Sequence, residues 1–505
     1  MNKIKNAFNN KNTKTVLLST LIFAILAHGF CYTNVIFSHD SIRTFFWTKF
    51  DTVAIGRYLI PVFLLIRGKY YPPLLIGITS YILLVAINLL LVDLFSITKK
   101  KNISLLSGIM TTASTLTLLN ATYINFSDIY LVALFLATLG AYIWRNYKWG
   151  FIIAIVPIFL LLPIYQAYIC FFTGIVLLLL AKDLMDGKKT KDIIAGKNGA
   201  LTAIITFISS MLLYALSLKV VNFVLNTELR DSYNSVSGIG IYSGINQIID
   251  LLLGTYKQFF HYIFNPNTYY STLVCIFNAL MIIFAICFCI AKITKAKDKA
   301  QRILLFVLFL VLTPLVFNFI YFLGKGVEHQ LMIYALFLLY VFIVMLIEDS
   351  KFKEIKIPLL TILLSITIFS NIIYSNQIYL IKDLNTKTTL TTMNRIIDRL
   401  EQTPGYRIGE TKISFIGNLN IGPLSIPRKE IDPEAVGVAG GNFGLTYYGT
   451  YKPFFENYLA YPINIVPEEE ANTLKERYEV KSMGYFPDKT SIQFVDDILV
   501  IKLSE

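Results

Sequence analysis

From Thr15 onward the chain repeats one feature that few folds accommodate: runs of about 20 residues that are apolar on every face. An amphipathic helix of a soluble domain keeps a polar stripe at the helical period. These runs have none, and their length matches the roughly 30 Å hydrocarbon core of a bilayer. They fall at 15–36, 73–98, 103–121, 127–144, 150–164, 166–181, 198–222, 270–291, 303–323, 331–347 and 357–380. Only 15% of the 505 residues are charged, against about 25% in soluble domains. The expected fold is an α-helical polytopic membrane protein with about eleven transmembrane helices, in contact with membrane lipids.

The net charge of +13 invites a nucleic-acid reading, and its location argues against one. Residues 1–381 carry 31 Lys+Arg against 15 Asp+Glu, whereas residues 382–505 carry 14 against 17. The positive excess therefore sits among the spans, where it orients a chain in the membrane. Every second connection is basic: Lys99–Lys101, Arg145 and Lys148, Lys182 to Lys197, Lys292 to Arg302, and Lys351 to Lys356. With the N-terminal lysines these stretches hold 22 Lys+Arg, while the intervening connections and Lys219 hold 9. The alternation puts the N-terminus in the cytoplasm and the segment after the last span outside. The opening Lys3, Lys5, Lys11, Lys14 and the apolar stretch behind them read as an uncleaved first span, since no small-residue cleavage pattern follows.

Two outer connections are long. Phe37 to Pro72 holds Asp40, Arg43, Lys49, Asp51, Arg57, Arg67 and Lys69. Asn226 to Tyr269 leads from a Gly/Ser-rich part into an amphipathic stretch, Ile245 to Ile263, expected to lie in the interface plane. No internal repeat is apparent, which disfavours transporters built from inverted halves. The five cysteines lie in or beside apolar spans, where they read as small packing residues.

From about Lys382 the composition becomes that of a soluble domain. Leu390, Met393, Ile397 and Leu400 fall on one helix face, and Ile413 to Ile416 reads as a short strand. Pro467 with Glu468, Glu469 and Glu470 marks a helix start. Ile492 to Leu503 reads as a closing strand. The boundaries expected are a transmembrane catalytic domain over 1–381 and a small extracytoplasmic α/β domain over 382–505.

Chemistry concentrates directly after the first span, in Ser38-His39-Asp40-Ser41-Ile42-Arg43, then Asp51, then Gly56-Arg57-Tyr58. Charges at the membrane edge are expensive and tend to mark function. A carboxylate beside arginines suits transfer of a sugar from a phosphate leaving group. The carboxylate takes the acceptor proton, and the arginines hold phosphate oxygens and balance charge on the leaving group. Asp40 is the candidate base, and Arg43 and Arg57 are the candidate phosphate ligands. Arg57 equally fits a helix cap or a contact with lipid headgroups. Asp51 and Tyr58 join the candidate substrate contacts. Tyr165 and Gln166, at an outer helix junction, either hydrogen-bond a sugar or pack in the aromatic belt. Glu328 and His329 either approach the site or lie in a solvated loop. Arg230-Asp231 reads as a local ion pair. With four scattered histidines and no tight carboxylate set, no metal or other cofactor is expected.

These elements resemble the bacterial serotype-converting glucosyltransferases (the Gtr type), polytopic GT-C-like enzymes. The likeness rests on a first span followed by the acid–arginine cluster and Gly56-Arg57-Tyr58, on Pro163-Ile164-Tyr165-Gln166-Ala167, on Asn376-Gln377-Ile378-Tyr379, and on Met483-Gly484-Tyr485-Phe486-Pro487 before an Ile/Val-rich strand. Two positions depart from the pattern: His39-Asp40 stands where paired acids are expected, and Tyr58 where Trp is expected. The resemblance implies transfer of a hexose, glucose or galactose, from a polyprenyl-phosphate-linked sugar donor to a surface polysaccharide acceptor, with a donor synthase and a flippase as pathway partners. Two other classes compete. A flippase or transporter of lipid-linked glycans would place its charges within the bundle, whereas here they gather at the rim. A polysaccharide polymerase would need catalytic arginines in the large central loop, where only Arg230 and Lys257 are basic.

Overall fold

The computed structural model describes residues 12–38, 41–42, 52–68, 71–230, 242–265, 272–295, 298–349, 356–425, 443–445 and 447–505. Its membrane-type part is built from α1 (Thr13–Thr33), α2 (Ile60–Arg67), α3 (Pro73–Leu94), α4 (Lys100–Thr111), α5 (Ser114–Asn146), α6 (Gly150–Leu161), α7 (Ile169–Met185), α8 (Ala200–Leu225), α9 (Ile245–Phe264), α10 (Thr272–Ile293), α11 (Lys299–Leu323), α12 (Leu338–Asp349) and α13 (Lys356–Gln402). Apolar side chains cover the outside as well as the inside. Ile204, Ile208, Leu212 and Leu216 form an exposed stripe along α8 at helical spacing, a surface of the kind lipid covers.

Among the described residues eight helical stretches, not eleven, are long and apolar enough to cross a membrane. The runs 103–121 and 127–144 form one stretch, Lys100–Asn146, bent at Thr112–Ala113 and again at Tyr123, whose φ −126° and ψ 39° leave the helical region. The run 150–164 yields only Gly150–Leu161, ending ahead of Pro163, which has no N–H to continue the helical hydrogen bonds. The run 331–347 spends its first turns in 3₁₀ geometry and leaves Tyr334–Glu348 as a short helix. The runs that fall short do so because the helix breaks or tightens inside them.

Ile245 to Ile263, expected in the interface plane, forms a helix packed on a neighbour. Helix α9 packs antiparallel along α11. Gly254 lies against the Tyr321 ring, Asn318 Nδ2 donates to the Thr255 carbonyl at 3.4 Å, and the Tyr256 hydroxyl donates to the Val311 carbonyl at 2.7 Å. The side of this helix that carries Leu251, Thr255 and Phe259 is buried, and Thr255 meets the kinked part of α11, where Pro314 lacks an N–H and Asn318 has φ −127°. Amphipathicity here serves a helix–helix contact.

Connections sort to two ends. At one end the basic connections interlock: Arg145 pairs with Asp183, Lys188 with Asp183 at 2.8 Å, and Arg302 donates to the carbonyls of Leu184 and Lys188 at 2.8 Å. Glu348 receives the Lys99 N–H and the Thr98 hydroxyl. At the other end the Leu59 N–H donates to Pro163 at 3.1 Å, the Arg230 N–H to Ala54 at 2.8 Å, and the Tyr71 hydroxyl to Ile36 at 3.0 Å. The alternation read from lysines and arginines is thus a spatial one.

Helix α13 runs unbroken for 47 residues, about 70 Å at 1.5 Å per residue. Its first half packs on α1, α4 and α5, fixed by a buried relay in which His28 bridges the Tyr379 hydroxyl (2.7 Å) and the Thr111 carbonyl (2.9 Å). Its second half buries Met393, Ile396 and Leu400 against the C-terminal sheet; Ile396 takes the place expected for Ile397. The boundary expected near residue 381 falls inside this one helix. The sheet has the order β2-β1-β4-β3, with β1 (Lys412–Ile416) parallel to β2 (Asn464–Ile465) and to β4 (Ile498–Lys502), and β3 (Ile492–Val495) antiparallel to β4. The closing strand expected over 492–503 is therefore a hairpin, turned at Asp496 with φ 55°. Helix α14 (Glu468–Lys475) begins where the acids and Pro467 place it.

Candidate active site

The end of the bundle opposite the basic connections carries the arginine singled out by sequence. A 3₁₀ turn, Val53–Ile55, closes on Gly56 at φ 80°, a left-handed position that glycine adopts without the steric cost of a Cβ. The Gly56 N–H returns to Val53 at 2.9 Å and the Arg57 N–H to Thr52 at 2.8 Å. This reversal turns Arg57 inward. Its Nη1 donates to the Tyr130 hydroxyl at 2.9 Å and its Nε to Gln166 Oε1 at 3.4 Å. The guanidinium lies 4.9 Å above the Tyr165 ring and 5.9 Å from the Tyr130 ring, within cation–π range. Those two rings stack with centroids 4.2 Å apart.

A closed set of hydrogen bonds fixes this geometry. Gln166 Nε2 donates to the Tyr214 hydroxyl at 2.9 Å, and that hydroxyl donates to the Gly56 carbonyl at 2.9 Å. Arg57, Gln166, Tyr214 and Gly56 therefore hold one another, with contributions from the first long connection, the α6–α7 junction and α8. Tyr58 faces the other way. Its hydroxyl meets Ser217 at 2.6 Å and its ring stacks on Tyr214 at 6.3 Å, so it braces the arginine turn against α8.

Below the arginine, polar atoms are buried without a protein partner. Among the described residues these include the hydroxyls of Tyr165 and Tyr168, one carboxylate oxygen of Glu328, and both amide atoms of Gln330. Buried polar atoms are nearly always paired, so a cluster of exceptions beneath a cation marks a place for a polar ligand. The other Glu328 oxygen accepts from Asn318 Nδ2 at 3.2 Å. Burial pushes the Glu328 carboxyl up to about 8, so it is mostly protonated at neutral pH. Burial, and then the positive charge of Arg57, hold His329 below its ordinary value. Glu328 and His329 are thus drawn in from solvent and do not lie in a solvated loop.

An apolar groove of about 270 Å³ begins next to this cluster. Helix α7 forms its floor, with Ile169, Cys170 and Val176, between walls from α8 (Phe207) and α11 (Val316, Phe319). Ile169 directly follows the 3₁₀ turn Gln166–Tyr168.

Asp40, Arg43 and Asp51 lie outside the described residues, but both flanks of Asp40 are placed. The Ser38 hydroxyl donates to the Thr122 carbonyl, beside the α5 kink that frees it. The Ile42 N–H donates to the Ser38 carbonyl at 3.0 Å. Phe37 and Ile42 are buried in the core of the C-terminal region. Sequence reasoning missed Tyr130, Tyr214, Gln330 and the buried pair Arg67–Asp128. In that pair Asn125 Oδ1 also accepts from Arg67 at 2.9 Å, and Thr79 donates to Asp128 at 3.1 Å. Asp128 was findable as an ionised residue inside an apolar run; the tyrosines were not, because aromatic residues in spans read as packing. Among the described residues no group of three or more His, Cys, Asp or Glu is placed to hold a metal ion.

A family model described as Glucosyl transferase GtrII matches residues 29–348, from the end of the first span to α12. No curated protein and no solved structure matches the chain.

Proposed function

The chain belongs to the glucosyl transferase GtrII family, and from that premise we propose that it moves a hexose, glucose or galactose, from a polyprenyl-phosphate-sugar donor to a surface polysaccharide on the outer face of a bacterial cell membrane. The observation that carries this reading is the Arg57 cation on its aromatic floor, at the head of a groove with almost no polar surface. A polyprenyl phosphate has the matching halves: an anionic head for the guanidinium and a hydrocarbon chain for the groove.

In the reaction the acceptor hydroxyl attacks the anomeric carbon, its proton passes to Asp40, and the bond from that carbon to the phosphate oxygen breaks. Arg57, with Arg43, balances the charge that gathers on the departing phosphate. The neutral Glu328 carboxyl can donate to a sugar hydroxyl without repelling the phosphate, and Tyr165, Gln330 and His329 supply further polar contacts. Asp51 contacts substrate from the same connection. Tyr58 positions Arg57 and does not need to touch the sugar. Residues 1–381 form the catalytic membrane domain. The N-terminus is cytoplasmic, and residues 382–505 are an extracytoplasmic domain on the acceptor side. A donor synthase and a flippase supply the donor.

The test uses purified protein in detergent with polyprenyl-phosphate-glucose, polyprenyl-phosphate-galactose and extracted envelope polysaccharide. An enzyme forms product without a membrane, whereas a flippase does not. Asp40→Asn should insert normally and lose transfer on the order of 10²-fold or more. Unchanged transfer removes Asp40 from the mechanism.

A further inference from the structure

The C-terminal region holds a second cavity, far in sequence from the arginine site and beyond the segment that the family model covers. Strand β1 is the centre of the parallel part of the sheet, flanked by β2 and β4. In sheets of this kind ligands collect in the crevice beyond the carboxyl ends of the strands. Beyond Ile416 the chain turns at Gly417, φ 80°, and a cavity of about 210 Å³ opens there. Its lining includes Asn418 after the strand, Tyr447 and Tyr448 from the segment opposite, and Glu468, Asn472 and Lys475 from α14.

The three α14 residues are spaced i, i+4, i+7, which brings them to one face of the helix. Among the described residues their side chains form no hydrogen bond or ion pair. Tyr447 keeps 58% of its surface exposed beside them, so its ring is open to a ligand. The lining discriminates among ligands. A phosphate would meet the Glu468 carboxylate with Glu469 and Glu470 next to it, and a cation would meet Lys475. A neutral ring with many hydroxyls suits it: Asn472 both donates and accepts, Glu468 accepts, Lys475 donates, and Tyr447 offers an apolar face. The volume is below the ~300–1,000 Å³ of whole ligand sites, which suits one or two sugar units of a longer chain.

Position supports the same occupant. The helical segment 448–458 that begins at this cavity ends on Phe37, three residues before Asp40 in sequence. Phe37 sits between Phe454 and Tyr458, with ring centroids at 5.3 and 5.2 Å. We propose that the cavity lined by Tyr447, Asn472 and Glu468 is a binding subsite for a sugar unit of the acceptor polysaccharide, which it anchors while another unit is presented at the membrane. This rests on the glucosyltransferase reading, and the experiment separates the two.

The full-length protein in detergent is tested in two ways with polysaccharide extracted from a strain lacking this chain. One measures equilibrium retention of the polysaccharide without donor; the other measures transfer from polyprenyl-phosphate-glucose. The double variant Tyr447→Ala/Asn472→Ala should weaken retention tenfold or more and raise the acceptor half-saturation concentration by the same factor. Donor half-saturation and the rate at saturating acceptor should stay as in the unaltered protein. Tyr447→Phe, which keeps the ring, should bind nearly normally and so exclude a folding defect. Retention and acceptor half-saturation that do not change in the double variant overturn the subsite. Retention without transfer in the unaltered protein leaves the subsite standing and removes the glucosyltransferase reading.

Discussion

Replacing Arg57 by lysine isolates what the guanidinium does, because the charge stays and the planar fork goes. Arg57 donates to Tyr130 at 2.9 Å and to Gln166 at 3.4 Å while lying 4.9 Å over the Tyr165 ring. A lysine ammonium can reach one of these partners but cannot span both and stay flat on the ring. A hydrogen bond to a charged group contributes about 1.5–3 kcal/mol, and a desolvated cation–π contact about 2 kcal/mol. The longer Gln166 contact is at the weak end of its class. Losing the two-pronged grip on a phosphate, with part of the stacking recovered by the ammonium, should cost about 2 kcal/mol, or roughly 30-fold in affinity. The assay is equilibrium binding of radiolabelled polyprenyl-phosphate-glucose to detergent-purified protein, followed by initial rates at saturating donor. Donor half-saturation should rise roughly 30-fold, and the saturated rate should fall as well, since the leaving phosphate gains charge as the bond breaks. Equal donor affinity in Arg57→Lys and the unaltered protein would refute the phosphate role and favour a contact with lipid headgroups.

Two further substitutions probe the surroundings of the arginine. Burial raises the Glu328 carboxyl to about 8, from an ordinary value near 4.3, so the folded protein holds a proton that the unfolded chain has lost between those values. The Glu328 contribution to stability is complete below about pH 4 and is lost as pH rises to about 8. Glu328→Gln should therefore flatten the pH dependence, melting a few degrees above the unaltered protein at pH 9 and close to it at pH 4. Transfer by the unaltered protein should fall above pH 8 as a carboxylate forms near the donor phosphate, and Glu328→Gln should stay flat; matching profiles in melting and transfer count against the buried neutral carboxyl. Phe37→Ala removes a ring that is 1% exposed between Phe454 and Tyr458, a change that costs roughly 3 kcal/mol or more. It should lower the saturated transfer rate and speed limited proteolysis after residue 402 while leaving donor binding intact, with Phe37→Leu partly restoring both; unchanged turnover would show that the loop does not depend on its anchor.

What could be read in advance follows from which interactions are local. The helical character of each apolar run, the two-ended sorting of basic connections and the start of α14 at Pro467 rest on hydrophobicity, charge and capping, all visible in short windows. Span lengths were less legible. The break at Tyr123 leaves the Thr122 carbonyl to a hydroxyl from Ser38, a partner distant in sequence. Ile245–Phe264 has the pattern of a surface-lying helix, and its packing along α11 depends on residues distant in sequence. In the site, Arg57, Tyr165 and Gln166 stood out by residue type and place. Tyr130 and Tyr214 complete their geometry from the middle of long helices, and nothing local separates them from packing aromatics. Glu328 and His329 looked like a solvated loop because the burial that perturbs them comes from other elements.

The arrangement also explains why this chain joins a membrane bundle to a sheet domain through one unbroken helix. A lipid donor is confined to the bilayer and a polymer acceptor to the space outside it, so their reacting atoms meet only at the boundary. In the proposed mechanism Phe37, Ser38, Ile42, Gly56 and Arg57 sit at that boundary, held from both directions. Ser38 is tied to the α5 kink below, while Phe37 and Ile42 are buried in the C-terminal core above. A methyl group added at Gly444 would come within 2.5 Å of the Phe37 ring, which is how closely the upper domain clasps the loop. At the other end of the connection, Gly56 and Arg57 are locked to Gln166 and Tyr214. A misplacement of about 1 Å between reacting groups can cost 10²-fold in rate. On that scale a loosely tethered acceptor domain would be of little use, and α13, rigid through both layers, sets the height of the domain above the arginine. In the proposed mechanism a flexible insertion into α13 near residue 382 should therefore lower transfer even where both halves remain folded and still bind their substrates.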